Sequence, residues 1–110
     1  MRAILLVAIL VLPFAGCASK APPPAPSKVV IGLTDNAFEF ATVKARSNEL
    51  IEWQNRGNNT HRIMPDEFPV GTADIKPGGI GQIKLAVVGH HGVHCAYHPE
   101  MKMDIEIVAG

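Results

Sequence analysis

The chain has 110 residues and equal numbers of basic and acidic side chains, so its formal charge at neutral pH is zero. That length holds one domain at most, and with no basic run in the sequence nothing points to a nucleic-acid surface.

Arg2 supplies a short positive start, and Ile4 to Leu12 is an apolar run broken by Pro13. The run is too short for a mature membrane-spanning helix but suits the hydrophobic segment of a secretory signal. Ala15 and Gly16 put small residues directly before Cys17. The arrangement resembles a bacterial lipobox, with Phe14 standing where Leu is usual. The resemblance implies that residues 1–16 are a signal peptide and that Cys17 becomes the lipidated first residue; the alternative is an ordinary secretory signal cut nearby. The chain is then expected on the periplasmic side of the cell envelope, attached to the membrane through lipid on Cys17. Losing residues 1–16 removes Arg2 and no acid, which leaves a formal charge of about −1. With Cys17 lipidated, Cys95 has no disulfide partner. A lone thiol outside the cytoplasm is an oxidation liability, and metal ligation is the leading reason to keep one.

Residues 17–28 are Cys17 followed by a Pro/Ala/Ser/Lys tract at 18–28. Proline removes backbone donors and favours extended geometry, so this stretch is expected to be a spacer. From Val29 to Gly110 the pattern is that of β-structure. Val29, Ile31 and Leu33 share one face; Ile51 and Trp53 share another, with Glu52 and Gln54 opposite. Ile83 and Leu85 alternate with Gln82 and Lys84, and Met103, Ile105 and Ile107 alternate with Asp104 and Glu106. Turn chemistry separates these runs at Thr34-Asp35-Asn36, Arg56 to Asn59 and Lys76-Pro77-Gly78-Gly79. Roughly seven or eight short strands in residues 29–110 predict an all-β domain, a small β-sandwich. Its core is modest, so a bound metal would add to its stability.

Chemistry concentrates in His94-Cys95-Ala96-Tyr97-His98-Pro99-Glu100-Met101, with a further imidazole upstream at His61. Two imidazoles and a thiolate in a trigonal set, with a long axial Met, are the ligands of a type 1 copper site. Cu(I) prefers soft sulfur and Cu(II) prefers nitrogen. A mixed site that satisfies neither fully changes little between oxidation states, which favours fast electron transfer. Cys95 can end one strand, His98 and Met101 can line the following loop, and Met103 can start the next strand. His61 follows the Arg56 to Asn59 turn, so all four can meet at one end of the sandwich. Met103 competes with Met101 as the axial ligand, but its strand parity with Ile105 and Ile107 makes it core.

Three stretches of residues 29–110, IEWQNRGNNTHRI, IKPGG and HCAYHPEM, resemble the cupredoxin family, above all its plastocyanin, amicyanin and pseudoazurin group. The resemblance implies a Greek-key β-sandwich and one copper ion held by His61, Cys95, His98 and Met101. It implies that His61 is buried and binds through Nδ1. It also implies that His98 presents its ring edge to redox protein partners, ringed by Tyr97, Pro99 and Met64. Two departures matter: Arg62 follows His61 where Asn or Thr is usual, and Ala96 follows Cys95 where Ser or Thr is usual. The side-chain hydrogen bond that those positions can form is therefore missing, and hydrogen bonding around the ligands tunes such a site.

The expected function is single-electron transfer without substrate turnover. Copper delivery in the envelope, or an accessory copper domain of a larger redox complex, are the alternatives. No acid/base or nucleophile set suggests an enzyme, and zinc is disfavoured because structural zinc rarely takes Met. His90, His91 and His94 raise the question of a second metal, against the plainer reading of a polar loop and an exposed strand face. Asp66, Glu67 and Asp74 read as a solvated face.

Overall fold

A computed structural model describes residues 27–110. The proposed signal peptide and nearly all of the spacer lie outside the described residues. Seven strands follow in chain order: β1 (Lys28–Leu33), β2 (Thr42–Arg46), β3 (Leu50–Asn55), β4 (Ile63–Pro65), β5 (Ile80–Lys84), β6 (Gly89–Cys95) and β7 (His98–Val108). They form two sheets, one ordered β1-β3-β5 and the other β2-β7-β6-β4. β1 runs parallel to β3, and β2 parallel to β7; the remaining pairs are antiparallel. The expected all-β sandwich is what the chain forms.

The core lies between the sheets, where the inward residues of both alternate as the pattern requires. Ile31, Leu33, Ile51, Trp53, Ile63, Val93, Cys95 and Ile105 are completely buried. Gly78, at φ 80°, makes the left-handed bend of the Lys76–Gly79 turn, a conformation with little penalty only for a residue without Cβ.

Two results depart from simple alternation. Glu52 does face away from Ile51 and Trp53, yet it is buried, because Gln54, Gln82 and Lys28 close over its carboxylate at 3.0, 2.8 and 3.4 Å. β7 also starts five residues before Met103, so the segment from His98 to Met101 is strand and not loop. The cause is a two-residue connection, Ala96-Tyr97, so tight that Cys95 pairs directly with His98. Elsewhere β6 and β7 keep one register, with Val93 opposite Met103 and His94 opposite Lys102. Continued, that register would set Met101 opposite Cys95; instead it shifts between His94 and Cys95.

Candidate metal centre

His61 is fixed before its side chain does anything. Its N–H donates to the Ile75 carbonyl at 3.0 Å, and its carbonyl accepts from the Ile75 N–H at 2.6 Å. The preceding turn is held from two sides. Asp35 accepts from the N–H groups of Asn58 and Asn59, and these bonds keep its carboxyl below the ordinary value. A Cβ at Gly57 would lie 2.5 Å from Asp35 Oδ1, so this close approach requires glycine. From below, the amide of Asn55 donates to the carbonyls of Asn59 at 2.7 Å and Ile75 at 2.9 Å, and accepts from Gly57 N–H at 3.0 Å.

Asn55 did not stand out in the sequence. Its signal was a polar amide at the inward parity of Ile51 and Trp53, at the last residue of β3. At that position an apolar residue would have continued the core stripe. A buried Asn there has to satisfy backbone groups, and these belong to the turn that leads to His61.

Cys95 ends β6 opposite Ile63 of β4, and His98 opens β7. The Ala96 N–H donates to the Arg62 carbonyl at 2.8 Å, which ties the Cys95 turn to the residue after His61. Nδ1 of His61 lies 3.6 Å from the Cys95 sulfur, and Nδ1 of His98 lies 3.5 Å from it. The two rings are 5.3 Å apart and tilted by 58°. His61 and Cys95 are completely buried, whereas His98 is half-buried. Burial holds the His61 imidazole below its ordinary basicity and His98 adds to this, against opposing pulls from the Thr34 backbone and Asp35.

These are the separations a small metal ion needs. Bonds of about 2.0–2.3 Å to nitrogen and sulfur, opened by roughly 110°, span about 3.6 Å. The ligand atoms of His61, Cys95 and His98 all lie within 4.8 Å of one another, and no other group of three or more His, Cys, Asp or Glu does so among the described residues. Two nitrogens and a sulfur are the trigonal set of a single type 1 copper ion. Met101 is buried at 2% exposure, on the inward face of β7 and beside the register shift at Cys95. Parity does not separate it from Met103, because both share the inward face; Met103 is opposite Val93, deeper along the strand.

The three histidines of β6 do not converge. His90 and His94 face outward, and their Nδ1 atoms meet Asp104 at 2.7 Å and Asp66 at 2.5 Å. His91 faces inward, with Nε2 at 2.6 Å from the Val87 carbonyl and its ring against Phe68. Each therefore has a partner of its own. Around His98, Tyr97 and Pro99 are exposed, while Met64 lies on β4 paired with His94. Of the acids whose pattern reads as a solvated face, Asp66 is engaged by His94, and Asp74 meets Arg62 at 2.9 Å and accepts from the Tyr97 hydroxyl at 2.5 Å.

No family model and no curated protein sequence matches this chain. Solved structures do. A mutant of amicyanin in its reduced Cu(I) form at pH 4 superposes with a TM-score of 0.67 at 16% identity, covering 76% of this chain and 85% of that one. A second amicyanin mutant, also reduced, gives 0.68 at 14% identity over 76% and 85%. A purple cupredoxin from Nitrosopumilus maritimus gives 0.67 at 12% identity, covering 73% of this chain and 99% of that one. At such identities the likeness establishes the fold, which is that of a cupredoxin.

Proposed function

We propose that this domain is a one-electron carrier that holds one copper ion with His61, Cys95 and His98, and with Met101 as a weak fourth ligand. The observation that carries the reading is the Cys95 sulfur with Nδ1 of two histidines at 3.5 and 3.6 Å, inside a rigid sandwich. Copper, when bound, supplies a couple that gains and loses a single electron. The chain's residues do the rest. His61 and Cys95 exclude water, and backbone pairing on each side of them keeps the donors in place when charge changes. Preorganisation of this kind lowers the cost of reorganisation. His98 is the one donor of the three that is not fully buried. A redox protein therefore has its shortest approach there, past exposed Tyr97 and Pro99.

The leader pattern extends the proposal to an exported protein held at the envelope by lipid on Cys17. Mass measurement of the membrane fraction tests it, since an unmodified Cys17 removes the tether. For the metal, Cu(II) added to the purified protein should give an intense thiolate charge-transfer band and a reversible redox wave. Cys95→Ser should abolish the band; a band that survives refutes the site. A colourless, tight Cu(I) complex without the band would favour copper delivery.

A further inference from the structure

Ala96 follows Cys95 with no polar side chain, so the turn between Cys95 and His98 can be held through side chains only by its other residue, Tyr97. We propose that Tyr97, Asp74 and Arg62 form a clasp that fixes this turn against the His61 segment, acting as positioning residues for the metal ligands. The proposal deepens the copper reading above and rests on it for its purpose.

Each member is one residue from part of the site. Tyr97 precedes His98, Arg62 follows His61, and Asp74 precedes Ile75, whose backbone pairs with His61. The three meet at one oxygen. Asp74 Oδ1 accepts from the Tyr97 hydroxyl at 2.5 Å and is in ion-pair contact with Arg62 Nε at 2.9 Å. The guanidinium carbon lies 5.9 Å from the centre of the Tyr97 ring, which places a cation over its π-face. Backbone ties also cross this seam, in the Ala96 N–H bond to the Arg62 carbonyl and the pairing of Cys95 with Ile63, but neither holds Tyr97. All three side chains are between two-fifths and one-half exposed. At that exposure an ion pair adds little to global stability. What a shared oxygen does provide is a fixed spacing between three chain segments, each bearing or bracing a ligand.

The test separates the clasp from the copper reading. In metal-free protein the rate of Cys95 alkylation by iodoacetamide reports local opening of the turn. Tyr97→Phe and Asp74→Ala should each raise it roughly fivefold, the factor expected for a charge-assisted hydrogen bond at a half-exposed rim. The double variant should be little worse than the Asp74 single variant, because the Tyr97 bond is already lost with the carboxylate. The unfolding midpoint of the metal-free protein should hardly move. Wild-type alkylation rates in both singles, or effects that multiply in the double, overturn the clasp. The thiolate band of the wild-type copper form judges the copper reading separately, and the alkylation result stands either way.

Discussion

Asn55 offers the sharpest test of how the metal pole is built. Its amide makes three hydrogen bonds from a side chain that is 2% exposed, to Gly57, Asn59 and Ile75. Each such bond contributes about 1 kcal/mol net. In Asn55→Ala the loss is not the full desolvation penalty for every partner. The Ile75 carbonyl keeps the His61 N–H, and Asn59 is exposed enough to regain water. The expected destabilisation is therefore about 2–3 kcal/mol, or a fall in melting temperature of roughly 10–20 °C for a domain of this size. Urea unfolding of the metal-free protein measures it, with an unchanged slope showing that the loss is of stability and not of cooperativity. Asn55→Asp keeps the volume and the acceptor but loses both donors, and sets a carboxylate against two carbonyls; it should be at least as damaging. A loss below about 0.5 kcal/mol in Asn55→Ala, or a tolerated Asp, would refute the assignment of Asn55 as the brace of this turn.

Three further outcomes follow from the same geometry. Met101→Gln should keep copper and lower the reduction potential, whereas Met103→Ala should leave the spectrum alone and destabilise the fold by about 2–5 kcal/mol; voltammetry and urea unfolding separate the two. Hydrogen bonds from Gln54 and Gln82, with help from Lys28, hold the Glu52 carboxyl below its ordinary value of 4.5. The unfolded chain then binds the proton more readily, so this contribution is complete above pH 4.5 and is lost as pH falls through the folded-state value. Glu52→Gln should lower stability at neutral pH and flatten the acid limb of the unfolding profile. His90 has the opposite sign: its bond to Asp104 raises it above its ordinary 6.5, so its contribution is complete below 6.5 and fades as pH rises through the folded-state value. NMR titration should place His90 above 6.5 and return it there in Asp104→Asn.

The sandwich was legible because alternation is a property of the strand itself. Ile31 and Leu33, Ile51 and Trp53, and Met103, Ile105 and Ile107 all point inward as their parity requires. His61, Cys95 and His98 were legible because donor chemistry is written in residue type. What stayed hidden depends on partners distant in sequence. Glu52 looks like an exposed acid until Gln82, brought alongside by β3–β5 pairing, covers it. Asp74 looks like a solvated charge until the fold sets Tyr97 and Arg62 against it. Neither contact leaves a periodic trace in the chain.

Met101 shows where parity alone runs out. The residues 101, 103, 105 and 107 of β7 all face inward, so a rule that sends Met103 to the core sends Met101 there too. Register makes the distinction. With Val93 opposite Met103 and His94 opposite Lys102, the next step would pair Cys95 with Met101, a cross-strand neighbour. The short Ala96-Tyr97 connection takes that place for His98 by shifting the register, which leaves Met101 in the irregular stretch of β7 between His98 and Lys102. A strand of perfect register could offer Cys95 only one neighbour across the ladder. The irregularity sets the His98 imidazole opposite Cys95 and leaves Met101 on the inward face three residues on, the arrangement that the proposed fourth ligand requires, and bulges recur beside functional sites elsewhere. Restoring regular register by lengthening the Ala96-Tyr97 turn should therefore separate the two before it disturbs the sandwich.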